Sequence, residues 1–110
     1  MVTMMVTKLV RNKVPQAIRD RGEQPLTWIA VDGEYKKLLR AKLLEEVKEL
    51  LDSNEVEELA DILEVVWTIA HDIFDISNNE LEQIRVNKSL EWGDYSDRHV
   101  LSYEINGSVP

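Results

Sequence analysis

This chain of 110 residues contains no cysteine, which removes disulfides, thiolate metal sites and a cysteine nucleophile from consideration. It has only four glycines, Gly22, Gly33, Gly93 and Gly107, and none of them builds a phosphate-cradling loop or a dinucleotide fingerprint. No apolar run approaches the ~20 residues that span a bilayer. The start lacks the charged region and cleavage site of a signal peptide, and a reducing, cytoplasmic location is expected. Met-Val-Thr occurs at 1–3 and again at 5–7, so Met5 is an alternative start to Met1. Positive charge is scarce: 13 Lys and Arg stand against 21 Asp and Glu, for a net charge of −8. Such a balance disfavours sequence-independent binding to nucleic-acid polymers. His71 and His99 are too few and too far apart to suggest a metal pair.

What is present is a globular composition, 44% hydrophobic and 31% charged, of a length that suits one domain over residues 1–110 with a single modest core. The pattern predicts a mainly all-α fold: a helical bundle built on an antiparallel helix hairpin, with short extended segments near both termini. Val14-Pro15 marks a helix start, since proline suits the first turn, and Gln16 to Arg21 reads as a short helix ended by Gly22. Leu26 to Val31 reads as a short strand or extended segment.

Two long helices follow. Leu39, Leu43, Val47 and Leu50 recur at helical spacing over Glu34 to Leu51, with Leu44 and Leu51 widening the stripe. Leu59, Ile62, Leu63, Val66, Ile69 and Ile73 form the apolar face of a helix over Glu55 to Ile76. Only Asp52-Ser53-Asn54 separates the two, which makes them antiparallel neighbours, and Asn54 and Glu57 have capping-box spacing. Ser77 and Glu80 have the same spacing at the head of a last helix that runs to Trp92 before Gly93. Arg98 to Ile105 alternates loosely and reads as a strand, with Asn106-Gly107 as a turn.

Two acidic clusters carry the chemistry. Glu45, Glu46 and Glu49 lie on the first long helix, and Glu58 and Asp61 on the second. Residues three apart share a helix face, so Glu46 pairs with Glu49 and Glu58 with Asp61. Across a turn centred on Ser53 and Asn54, Glu49 lies level with Glu58, and Glu46 with Asp61. Four carboxylates in one patch repel each other, and a divalent cation relieves that repulsion. Carboxylate oxygens are hard ligands that suit Mg²⁺, or Mn²⁺, over zinc. Through such an ion an acidic protein binds a polyphosphate. The plain alternative is a solvated acidic helix face, partly offset by Arg40 and Lys48.

These motifs resemble a known family. Glu-Glu-x-x-Glu followed on the next helix by Glu-x-x-Asp is similar to the signature of the MazG-like, all-α nucleoside triphosphate pyrophosphatase superfamily, matched here by Glu45, Glu46, Glu49, Glu58 and Asp61. Upstream, Lys8-Leu9-Val10-Arg11-Asn12-Lys13-Val14-Pro15 resembles the Lys-Leu-Val-Arg-Asp-Lys-Ile-Pro start of a small phosphoribosyl-ATP pyrophosphohydrolase-like branch, with Asn12 for Asp and Val14 for Ile. The likeness spans about residues 7 to 101. It implies a helical bundle that forms a homo-oligomer, dimer or tetramer. It also implies Mg²⁺-dependent hydrolysis between the α- and β-phosphates, giving a nucleoside monophosphate and pyrophosphate, with a housecleaning role among noncanonical nucleotides. By this likeness Glu46, Glu49, Glu58 and Asp61 hold the metal, and Glu45 supports them or activates water. Where the branch carries Arg-Gly-Gly-Phe, this chain has Glu91-Trp92-Gly93-Asp94-Tyr95, without the basic charge.

Lys8, Arg11 and Lys13 are placed to meet phosphate oxygens if their segment folds over the hairpin. Asn87 and Lys88 on the last helix resemble a polar pair that the family sets near substrate. Trp28, Trp67 and Trp92 are expected in core or interface packing rather than stacked on a base. His71 reads as a helix-surface residue, and Asp72 shares a face with Asp61, Val65 and Thr68. Two other readings stand beside the main one: a phosphoribosyl-ATP pyrophosphatase of histidine synthesis, and a helical dimerisation module without catalysis.

Overall fold

The computed structural model describes residues 5–103. Four helices follow one another in the chain: α1 (Val14–Asp20), α2 (Asp32–Ser53), α3 (Val56–Asp72) and α4 (Asn78–Trp92). Among the helices, α2 packs against α3 and α3 against α4. The fold is an all-α bundle, as the periodicity predicts, and its centre is the α2–α3 hairpin.

Each helix end has a local cause. Pro15 sits in the first turn of α1, where its missing N–H costs nothing and its fixed φ is already helical. Behind α1, Gly22 takes a φ of +87° and donates its N–H to the Arg19 carbonyl at 2.9 Å. Asp32 and Glu34 occupy the first turn of α2, where negative charge meets the positive end of the helix dipole. Ser77 and Glu80 form the capping box the sequence predicts: the Ser77 Oγ accepts from the Glu80 N–H at 3.1 Å, and the Glu80 carboxylate accepts from the Ser77 N–H at 3.3 Å.

The hairpin turn departs from expectation. Asn54 does not cap α3. It ends α2 in the left-handed conformation, φ 53°, with its N–H on the Leu50 carbonyl at 2.8 Å. Asparagine is among the few residues that tolerate this conformation. Glu55 then precedes α3 without a side-chain cap. The far end of α3 also comes earlier than its apolar pattern suggests, because Asp75 turns left-handed at φ 54°. Neither expected strand is present among the described residues. Leu26 to Val31 is irregular, with Leu26, Ile29 and Val31 exposed and no neighbouring strand to pair with. Residues 98–103 are irregular too, and Arg98 at φ 63° breaks any extended run. The remainder of that expected strand and the Asn106-Gly107 turn lie outside the described residues.

The core is small. Among the described residues only Leu39, Val65 and Ala70 are buried apolar side chains. Leu43, Leu50, Ile62, Val66, Ile69 and Ile73 are half-buried, whereas Leu44, Val47, Leu51, Leu59 and Leu63 stand exposed. The apolar stripe is therefore wider than the contact between α2 and α3. Of the expected core or interface packing, the core half fails for the three tryptophans: Trp28, Trp67 and Trp92 are all open to solvent, and Trp28 donates its indole N–H to Glu34 at 2.8 Å.

Candidate metal centre

The hairpin aims one helix row of acids from each side at the same point. Glu46 lies about two turns past Leu39 and one past Lys42 on the α2 face that meets α3, and it is the one buried charged residue among those described. Opposite, Glu58, Asp61 and Val65 recur at three- and four-residue spacing on α3. Carboxylate oxygens of Glu46, Glu58 and Asp61 lie within 4.8 Å of one another.

Two of these oxygens have unmet demands. Oε2 of Glu46 and Oε2 of Glu58 are shielded from solvent and accept no hydrogen bond. The Glu46 side chain is only 8% exposed, and a buried, unpartnered carboxylate oxygen is costly. Its other oxygen meets Lys42 Nζ at 3.3 Å. The Glu58 carboxyl is pushed above the usual carboxylate range, first by loss of solvent and then by the charges of Glu49, Asp61, Glu46 and Glu55. That crowding of negative charge is what a divalent cation bound by oxygen ligands neutralises.

The structure unites three of the four expected ligands. Glu49 is exposed and stands outside the close group, though its charge still acts on Glu58. The reason is helical geometry. Residues three apart on an α-helix are rotated by about 60°, so when Glu46 points into the hairpin, Glu49 turns toward its rim. Glu45 sits next to the group and faces the N-terminal segment. It receives Lys8 Nζ at 2.9 Å and Lys42 Nζ at 3.3 Å. Burial pushes the Glu45 carboxyl up, but the hydrogen bonds and charges of Lys8 and Lys42 together prevail and hold it below the ordinary value. Lys8 in turn is raised by its bond to Glu45.

Residues 5–13 cross the hairpin as a strap. Arg11 Nη2 donates to Asp61 Oδ1 at 2.8 Å, linking residues 50 positions apart. Between the strap, α2 and α3 lies a cavity of about 530 Å³, within the range of sites for small molecules. Glu46 and Asp61 border it. Leu9, Val10, Leu39 and Val65 supply its apolar lining, and Arg11, Asn12, Lys13 and Lys42 its polar wall. Tyr35, Glu64 and Thr68 complete the lining.

Of the residues singled out from the sequence, Lys8, Arg11 and Lys13 are thus brought over the hairpin. Lys8 borders a smaller neighbouring cavity with Val6, Thr7 and Glu45. Asn87 and Lys88 are exposed on α4 and line neither cavity, and Asn87 accepts from Gln83 at 2.9 Å. Lys42 lies outside the acidic motifs, although its spacing of three and four residues before Glu45 and Glu46 is the pattern of a helical ion pair. A second unforeseen feature joins the outer ends of α2 and α3. The Tyr35 hydroxyl donates to Asp72, which also meets His71 Nδ1 at 2.7 Å. Burial and that hydrogen bond push the Tyr35 hydroxyl up to about 12, so it stays a donor across the physiological range. His71 is a surface residue, as expected, and no helix among the described residues is long and apolar enough to cross a membrane.

Compared with known proteins, the chain matches no family model, no curated protein and no solved structure.

Proposed function

We propose that this protein is a Mg²⁺-dependent nucleotide pyrophosphohydrolase, cleaving the α–β phosphoanhydride of a nucleoside triphosphate to a monophosphate and pyrophosphate. One observation carries the reading: a buried carboxylate oxygen of Glu46 without a partner, gathered with Glu58 and Asp61, while Glu46 and Asp61 also line a cavity edged by cations. The likeness of the acidic motifs and of the Lys8–Pro15 segment to the MazG-like superfamily supplies the reaction.

Glu46, Glu58 and Asp61 would hold Mg²⁺ or Mn²⁺, with Glu49 at the rim able to reach it through water. Bound there, the ion would supply charge neutralisation for the phosphates and the Lewis acidity that activates water. The chain does the rest. Arg11 and Lys13 present donors to phosphate oxygens along the cavity wall. Glu45, kept ionised by its two lysines, serves better to orient a water by accepting its hydrogen bond than to keep its proton. The apolar lining of Leu39 and Val65 excludes water from one flank of the substrate.

A second reading has its own observation. Leu44, Leu51, Leu59, Leu63 and Trp67 are exposed on α2 and α3, and such apolar surface is typical of an interaction site. We take it as the contact of a homo-oligomer that also carries the site. A helical dimerisation module without catalysis would show the same surface. The phosphoribosyl-ATP pyrophosphatase reading shares the chemistry and differs in substrate.

A panel of canonical and noncanonical nucleoside triphosphates and phosphoribosyl-ATP, assayed for pyrophosphate with and without Mg²⁺, separates these. Release that depends on Mg²⁺ and is lost in Asp61→Asn supports the proposal. Turnover restricted to phosphoribosyl-ATP selects the histidine-pathway alternative. No release from any member of the panel selects the module.

A further inference from the structure

The Arg11–Asp61 ion pair places a cation on the metal group itself. Asp61 is one of three residues whose oxygens lie within 4.8 Å of one another, and its Oδ1 already accepts from Arg11 at 2.8 Å. A divalent ion bound at about 2.0–2.1 Å from that oxygen would stand a few ångströms from the guanidinium. Two like charges would then share one carboxylate at the edge of a low-dielectric crevice. The pair is half exposed, with side-chain exposures of 57% for Arg11 and 37% for Asp61, so it is weak and easily exchanged. Arg11 also lines the cavity, and a guanidinium that leaves a carboxylate has other planar oxyanions to turn to there.

We infer that Arg11 is a positioning residue that competes with the divalent cation for Asp61, so that filling the metal site frees the Arg11 end of the strap while Lys8 keeps its pair with Glu45. Arg11 acts as a stand-in cation. It neutralises Asp61 in the metal-free protein and yields it when the ion arrives. By linkage, whatever draws Arg11 away strengthens metal binding to the same extent. The inference rests on the metal-site reading above, and its test separates the two.

The comparison uses Arg11 and Lys13, two cations of the same strap. Both border the cavity, but Lys13 forms no ion pair among the described residues. Mn²⁺ alone is titrated calorimetrically into the full chain and into Arg11→Gln, Arg11→Lys, Lys13→Gln and Asp61→Asn. Arg11→Gln is expected to bind Mn²⁺ about three- to tenfold more tightly than the parent. Lys13→Gln, which loses the same charge without freeing a carboxylate, should gain less than about twofold, a through-space effect screened by salt. Arg11→Lys should return most of the way to the parent, and Asp61→Asn should bind most weakly. In parallel, tryptic cleavage after Arg11, measured against cleavage after Arg98 by mass spectrometry, should accelerate severalfold in the parent when Mn²⁺ saturates. Equal or weaker Mn²⁺ binding by Arg11→Gln would make Arg11 an organiser of Asp61 rather than its competitor, and the inference would be wrong. An unchanged cleavage ratio at saturating Mn²⁺ would overturn the release of the Arg11 end of the strap. Absence of Mn²⁺ binding in the parent and Arg11→Gln alike would overturn the metal site and this inference with it.

Discussion

The two sides of the α2–α3 hairpin invert the usual order of a small protein. The inward side buries a carboxylate, Glu46, beside Leu39 and Val65, and sets Glu58 and Asp61 against it. The outward surfaces of the same helices expose Leu44, Leu51, Leu59, Leu63 and Trp67. Charge inside and apolar surface outside both cost stability. Under the proposed function each side would have an occupant, a cation on the one and a second copy of the chain on the other. The contrast leaves only Leu39, Val65 and Ala70 as fully buried apolar residues among those described.

The largest effect expected is on Glu46. Glu46→Leu should lower Mg²⁺-dependent turnover by at least about a thousandfold, as loss of a metal ligand removes both charge neutralisation and water activation. The same change should raise stability in metal-free buffer by about 1–2 kcal/mol, since an apolar group of similar size replaces a poorly satisfied buried charge. Lys42 keeps Glu45 as its partner. Urea unfolding with and without Mg²⁺ reads both halves. A variant that loses activity and stability together would mean that the inner charge is structural.

The outer surface is broken by Leu63→Glu. Sedimentation velocity should show the parent as an oligomer and this variant shifted toward monomer by an order of magnitude or more in dissociation constant, because a charge is set in a desolvated apolar contact. A monomeric parent would remove the outer surface from the comparison.

Adding the cation should sharpen it. Mg²⁺ at a hundredfold excess over its dissociation constant is expected to stabilise the parent by about 2.7 kcal/mol, read as a higher thermal midpoint. Asp61→Asn should lose most of that gain.

The smallest effect concerns the outer end of the hairpin. The hydrogen bond and charge of Asp72 raise His71 above its ordinary 6.5. A base whose folded value is raised contributes stability that is fully present below 6.5 and lost as pH rises through the folded value. His71→Gln should therefore lower the thermal midpoint slightly at pH 5.5 and leave it unchanged at pH 8.5, because the exposed ring is well screened by solvent. An equal loss at both pH values would show that the imidazole acts through packing instead.

Much of the site was legible because its spacing is local. Glu46 and the Glu58–Asp61 pair follow from helical period and a short turn, and the Ser77–Glu80 capping box from a four-residue pattern. Glu49 was expected inside the close group, since level pairing across a hairpin treats two residues on one face as equivalent. A rotation of about 60° between them is enough to leave one at the rim. The strand alternative at Leu26–Val31 failed for a different reason. Alternation and β-branched residues describe a chain that fits a sheet, but no partner strand is there to complete one among the described residues.

The sequence alone determined the four helices, the acid spacing and the basic character of residues 8–13, because each depends on neighbours within a few positions. Only the tertiary structure decided that Arg11 meets Asp61, that Lys8 and Lys42 converge on Glu45, and that Tyr35 joins Asp72. It also decided that Glu46 is the carboxylate left buried with an oxygen unsatisfied. Those pairings, apart from Lys42 with Glu45, span 37 to 50 residues. They arise from the packing of α2 on α3 and the path of the strap across them, which no local pattern encodes.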